Sequence, residues 1–173
     1  MNKIVFLDID GVLNSISWNN KHQNEIRKGE LISEEKVKLL ARLVKRTGAK
    51  IILHSGWRFW FDDDIKPLRK EAVKLVKLLK EESVYIAGKT PDLTTEEIRK
   101  TKKFSIVKAD EIFLWLRMNT DIENWVVLDD IDLKHKNIKE HQILINPNLG
   151  LTQKDIGDAE KILLDSRVSF NIN

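Results

Sequence analysis

The sequence predicts an α/β fold, a parallel sheet covered by helices, and three observations carry that expectation. Apolar strand-like runs at 3–8, 50–54 and 125–128, with weaker ones at 84–87 and 142–145, alternate with segments of helical period. The surrounding residues of the first run are β-branched and apolar, which argues for burial. Acidic residues stand at the carboxyl ends of the runs 3–8 and 125–128. Open α/β sheets bind their ligands beyond such strand ends.

The first run, residues 3–13, reads Lys-Ile-Val-Phe-Leu-Asp-Ile-Asp-Gly-Val-Leu. Side chains at i and i+2 of a strand share a face, so Asp8 and Asp10 look the same way if the strand continues through Asp10. Gly11 tolerates the backbone angles a turn after the strand needs. Neither carboxylate can stay charged alone at a buried strand end, and a hard divalent cation such as Mg²⁺ would neutralise them. A solvated turn, for which Asp and Gly are common residues, is the competing reading of these positions.

The first helix is the clearest of the helical segments. Ser33 can cap it, Glu34 and Glu35 suit its first turn, Val37, Leu40, Ala41 and Val44 form one face, and Gly48 ends it. A second run places Ala72, Val73, Val76 and Leu79 on one side, and a third places Ala109, Ile112, Phe113 and Leu116 together. Thr152 and Asp155 resemble a capping box ahead of Ile156, Ala159 and Leu163. Residues 14–32 and 88–105 carry no sustained period and read as long loops, which are often functional. The first of them holds Trp18 and forms either a flap over the site or a surface excursion.

The chain of 173 residues is 42% apolar, enough for one well-formed core and short for two domains, so a single domain over 1–173 is expected. Thirty basic and 27 acidic residues leave a net charge of +3, a mixed surface that permits nucleic-acid binding without demanding it. The absence of cysteine removes disulfides, thiolate zinc sites and cysteine nucleophiles. Lys3 is followed by a short run that Asp8 interrupts, unlike a signal peptide, and no stretch approaches the ~20 apolar residues that span a bilayer. A soluble, cytoplasmic protein without membrane partners is therefore expected.

The second strand delivers Ser55-Gly56-Trp57-Arg58 after His54, placing a hydroxyl and backbone N–H groups where phosphate oxygens could be held. Alternatively Ser55 caps the following turn. His54 points away from Ser55 and reads as a core or supporting residue. Lys108 stands at the start of the third helix and could set an ammonium against a phosphate or an aspartate, with Lys102 and Lys103 as competitors. The run Trp125–Leu128 ends in Asp129-Asp130, with Asp132 two residues on, and repeats the architecture of the first strand. Two acidic strand ends can converge on one cation.

In chain order, Leu-Asp-Ile-Asp-Gly-Val-Leu, His-Ser-Gly-Trp-Arg, Lys108 and Asp129-Asp130 resemble the motifs of the haloacid dehalogenase-like (HAD) superfamily, over residue 3 to about 151. Within it the likeness is to small bacterial and phage domains associated with RNA repair, which share the Ser-Gly-Trp-Arg-like motif and the ending Asn146-Pro147-Asn148-Leu149-Gly150-Leu151-Thr152. The resemblance implies a Rossmann-like sheet and Mg²⁺-dependent phosphoryl transfer through an aspartyl phosphate. It makes Asp8 the nucleophile, Asp10 the general acid/base, Ser55 a ligand of the phosphoryl group, Lys108 its charge partner, and Asp8, Asp10, Asp129 and Asp130 the metal set. Asp at both positions 8 and 10 favours a phosphatase over a mutase or dehalogenase.

The intervals between motifs leave no room for a large cap domain, so the site could admit a nucleotide or a phosphorylated nucleic-acid end. Gly56, Trp57 and Arg58, with Trp18 and Trp60, could then stack on or clamp the substrate, unless Trp57 and Trp60 pack the core and Arg58 pairs with a carboxylate. The same set of residues meets two rival readings. A receiver domain has its acidic pair and hydroxyl in another order. A catalytically silent nucleic-acid-binding module would not need the intact acidic set.

Overall fold

The computed structural model describes residues 2–101 and 103–165. Strands β1 (Asn2–Leu7), β2 (Lys50–Leu53), β3 (Ile86–Lys89), β4 (Ile122–Asp129) and β5 (Gln142–Leu144) form one parallel sheet in the order β3-β2-β1-β4-β5. Helices α1 (Ile16–Lys21), α2 (Gln23–Arg27), α3 (Glu34–Thr47), α4 (Lys70–Glu81), α5 (Glu96–Thr101), α6 (Phe104–Met118) and α7 (Gln153–Leu164) connect and cover it. This is the expected α/β, Rossmann-like arrangement. From β1 the chain builds outward to β2 and β3, then returns to β4 on the other side. The order of strands therefore reverses between β1 and β4, where sheets of this kind hold their ligands.

Period-two alternation divides the core between the two faces of the sheet. Val5, Leu7, Ile51, Leu53, Val126 and Leu128 pack in one cluster with Leu40 of α3, Leu75 of α4 and Ile156 of α7. Ile4, Phe6, Ile52, Trp125 and Val127 pack in a second with Ala109, Ile112 and Leu116 of α6. Each fully buried Leu or Ile here contributes roughly 1.5–3 kcal/mol. The same parity puts Asp8 and Asp129 on the α6 side.

Several expectations need adjustment. β1 stops at Leu7, so Asp8 and Asp10 do not continue one ladder. Ser33 makes no side-chain cap to α3; it is buried, and its N–H donates to the Leu13 carbonyl. Val73 is exposed, and Leu75 and Leu78 complete the buried face of α4 instead. α6 begins at Phe104, which puts Lys108 in its second turn; the exposed Phe104 and Ile106 break the amphipathic period there. The stretches 14–32 and 88–105 contain α1, α2 and α5, each too short to display a helical period. Lys102 lies outside the described residues.

Thr152 and Asp155 do form the capping box of α7, and Gly48 ends α3 in the left-handed region at φ 70°. The segment Asn146–Thr152 seats α1: the Pro147 and Asn148 carbonyls accept from Ile16 and Ser17, and Leu151 N–H donates to Val12. Gly150 has φ 67°, and a Cβ there would lie 2.9 Å from the Val12 carbonyl. No helix among the described residues is long and apolar enough to cross a membrane.

Candidate active site

β1 and β4 deliver Asp8 and Asp129 side by side because the two strands are paired in register, Leu7 beside Leu128, and Asp8 N–H donates to the Leu128 carbonyl at 2.9 Å. Lys108 comes down from α6 onto both. Its Nζ donates to Asp129 Oδ2 at 2.5 Å and to Asp8 Oδ1 at 3.1 Å. All three side chains are buried. Asp129 Oδ1 accepts from Ile131 N–H at 2.9 Å, which fixes its plane.

Burial raises the pKa of the Asp8 carboxyl, and Asp129 and Asp130 add to it while Lys108 opposes; the net effect takes Asp8 up to about 7. Burial likewise raises Asp129, against the pull of Lys108, and raises Asp130 with help from Asp129. Burial acts to lower the Lys108 pKa, but the two aspartates outweigh it and hold the ammonium charged.

Asp10 occupies a separate place. Its carboxylate is exposed, outside the acidic cluster, and is held from both sides: Asn14 Nδ2 donates to Oδ1 at 2.9 Å and Trp57 Nε1 donates to Oδ2 at 3.1 Å. Asn14 Oδ1 also accepts from Gly11 N–H at 2.9 Å, closing the turn after β1. Gly11 has φ 77°, and a Cβ there would meet Asp130 Oδ2 at 2.5 Å. Glycine is thus required twice, by the backbone angle and by the close approach of a site carboxylate.

Ser55 follows β2 and its Oγ accepts from Trp57 N–H at 3.3 Å, opening the 3₁₀ turn Gly56–Trp60. Arg58 is buried in that turn; its Nη2 donates to Glu111 Oε1 at 2.7 Å and to Asp92 Oδ1 at 3.3 Å. Glu111 Oε1 also accepts from Leu93 N–H at 3.0 Å. This network ties the Ser55 loop, the segment after β3 and α6 into one wall.

A cavity of about 540 Å³ opens over these groups, and Asp8, Asp10, Ser55, Gly56, Arg58, Lys108 and Asp130 line it. That volume is in the range of small-ligand sites. Trp18, Trp57 and Trp60 are not on its walls. Trp57 is buried and tilted against Trp60, their centroids 4.4 Å apart. Trp18 stacks on His22 over a separate hollow that Glu25 and Glu30 also line. From the segment 14–32, Ile16 and Asn19 reach the cavity over Asp8 instead. His54 is buried behind it, with Nδ1 3.3 Å from Thr90 Oγ1.

The donor set suits a hard divalent cation. Asp8, Asp129 and Asp130 each offer one oxygen, all within 4.8 Å of one another. Three carboxylates faced by one ammonium leave an excess of negative charge, which burial makes costly and a cation would balance. The Asp10 carboxylate is not part of this set.

Asn14, Asp92 and Glu111 were not singled out by their sequence pattern. Glu111 could have been found from its position, one turn beyond Lys108 on the same helix face. Asn14 stands four residues after Asp10 in a turn, where side-chain amides commonly bridge the backbone. Nothing local marks Asp92, whose partner is 34 residues away.

No curated protein and no solved structure matches the chain significantly. A family model does, and it covers both acidic strand ends, the Ser55 loop and Lys108. Over residues 4–156 the chain belongs to the family of HAD domains in Swiss Army Knife RNA repair proteins.

Proposed function

We propose that the chain is a Mg²⁺-dependent phosphomonoester hydrolase that works through an aspartyl phosphate on Asp8. The observation that carries this reading is Asp8 itself, a buried carboxylate on the wall of an open cavity at the switch point, paired with Lys108 and flanked by Asp129 and Asp130. Asp8, Asp129 and Asp130 would hold the divalent ion. When bound, it supplies positive charge against the phosphoryl oxygens.

In the first half-reaction an Asp8 oxygen attacks phosphorus and the bond to the ester oxygen breaks. Asp10 gives its proton to that leaving oxygen. In the second, water attacks the phosphorus of the aspartyl phosphate, Asp10 takes a proton from it, and Asp8 and inorganic phosphate are released. Lys108 and the Ser55 hydroxyl stabilise the transferring group, whose transition state is loose and rich in negative charge. The hydrogen bonds from Asn14 and Trp57 hold the Asp10 carboxylate in place for both proton transfers.

The family's place in RNA repair supports a phosphorylated nucleic-acid end or nucleotide as substrate. The test is phosphate release from a panel of nucleotides, sugar phosphates, 3′- and 5′-phosphorylated oligonucleotides and an aryl phosphate, with and without Mg²⁺. Release that needs both Mg²⁺ and Asp8 is expected. Salt-sensitive oligonucleotide binding with no release from any substrate would overturn the reading in favour of a binding module.

A further inference from the structure

The cavity is lined by charged groups and, where its lining is exposed to solvent, also by aromatic ones. Phe59, Arg99 and Phe104 line it, and they come from three separate elements: the 3₁₀ turn, α5 and the start of α6. Phe59 is 49% exposed and Phe104 is 37% exposed. The Arg58 guanidinium carbon lies 4.8 Å from the Phe59 centroid, and that of Arg99 lies 6.0 Å from it. Arg58 is buried, while the Arg99 side chain is 57% exposed with Nη2 donating to Asp92 Oδ2 at 3.4 Å, so Phe59 is backed by one guanidinium and neighboured by a second whose edge is held by a carboxylate and whose face is left to solvent.

Large apolar side chains left exposed together beside a polar site mark a place where something apolar docks. This rim offers flat π surfaces and one accessible guanidinium plane. A sugar or a short aliphatic phosphate would need fixed hydrogen-bond partners instead. A nucleobase is the group that fits: it stacks on aromatic and guanidinium faces with little demand on sequence. One cavity contains both the rim and Asp8, so a phosphate at Asp8 and a base at the rim can belong to one molecule.

We propose that Phe59, Arg99 and Phe104 form a subsite for the nucleobase next to the phosphate that is removed. It rests on the phosphohydrolase reading above and replaces the tryptophans, which face elsewhere, as the stacking surface. The ligand chemistry is a base-bearing phosphomonoester, whether a free nucleotide or a strand end.

The test measures kcat/KM for nucleoside 3′- and 5′-monophosphates, a phosphorylated trinucleotide and ribose 5-phosphate. Wild type should prefer the base-bearing substrates. Phe59→Ala and Phe104→Ala should each shrink that preference by about 5-fold or more, mainly through KM, and Phe59→Tyr, which keeps the ring face, should restore it. A trinucleotide favoured over the mononucleotide assigns the site to strand ends, the opposite ranking to free nucleotides, and either supports the subsite. Equal losses on ribose 5-phosphate, or a wild type indifferent to the base, would overturn it while leaving hydrolysis intact. Conversely, calorimetric binding of a nucleoside monophosphate to Asp8→Asn that Phe59→Ala weakens would sustain the subsite even if no substrate were turned over.

Discussion

Lys108 Nζ lies 2.5 Å from Asp129 Oδ2 while also donating to Asp8, so one ammonium holds together the ends of two strands whose carboxylates repel each other. Removing it leaves three clustered carboxylates without a cation. Lys108→Met should cost up to about 3 kcal/mol in the metal-free protein at neutral pH, because Asp8 and Asp129 lose the ammonium that favours their charged forms and must either take up a proton or stay charged without it. Thermal unfolding with and without Mg²⁺ checks this: the variant should gain more from the ion than wild type does. Equal Mg²⁺ stabilisation of the two would mean that Lys108 and the cation do not answer the same charge.

Asp8→Asn should behave in the opposite way toward stability. It removes a like charge from the cluster and keeps a side chain of the same size, so metal-free unfolding should occur at the wild-type temperature or above it. Phosphate release should fall on the order of 10⁴-fold or more, since an amide cannot serve as the nucleophile. Near-wild-type turnover in this variant would remove the aspartyl phosphate from the mechanism.

Gly11→Ala tests the turn. The added Cβ meets a left-handed φ of 77° and the Asp130 carboxylate at 2.5 Å. A loss of about 1–3 kcal/mol is expected from the backbone alone. The displacement of Asp130 should in addition weaken Mg²⁺ binding, read as a higher ion concentration for half-maximal stabilisation. Unchanged ion dependence would show that Asp130 does not hold the metal.

Arg58 and Glu111 form a buried ion pair at 2.7 Å, and burial raises the Glu111 carboxyl while the Leu93 N–H and Arg58 oppose that rise. Each single truncation, Arg58→Met or Glu111→Leu, should cost about 3–5 kcal/mol by stranding its partner. The double variant should cost clearly less than the sum, giving a coupling of about 1–3 kcal/mol in a denaturant double-mutant cycle. Strict additivity would show that the two side chains act separately.

These predictions draw unequally on what the sequence could reveal. The strand ends were legible because buried parallel strands are continuous apolar runs, and an Asp closing one stands out against them. Lys108 was legible only through its place in a motif order, since 30 basic residues dilute any single lysine. The direction of Asp10 was not legible: β1 ends one residue before Asp8, and a turn rather than a pleat sets where Asp10 points. The tryptophans stayed open in the sequence because exposure cannot be read from residue type, and the alternative in which Trp57 packs inward and Arg58 pairs with a carboxylate is the one that holds. Trp57 spends its ring on the core and its one N–H on Asp10, while the neighbouring Phe59 faces the cavity.

His54 contributes one separable part of the pH dependence. It is fully buried, and desolvation first, then Lys108 and Arg58, lower its pKa well below 6.5. The neutral ring is therefore native, and the unfolded chain binds the extra proton. Stability from this group is complete above pH 6.5 and is lost as pH falls toward the depressed native value, by up to about 1.4 kcal/mol per pH unit. Asp8, Asp129, Asp130 and Glu111 carry raised values and contribute with the opposite sign, so the total slope is a balance. His141 is lowered too and acts with His54. Subtracting the metal-free stability of His54→Gln from that of wild type, pH by pH, isolates the one group. The difference should be flat above pH 6.5 and should shrink by about 1.4 kcal/mol per unit below it. A difference that stays constant down to pH 5 would show that His54 is protonated as readily in the folded protein as in the unfolded chain.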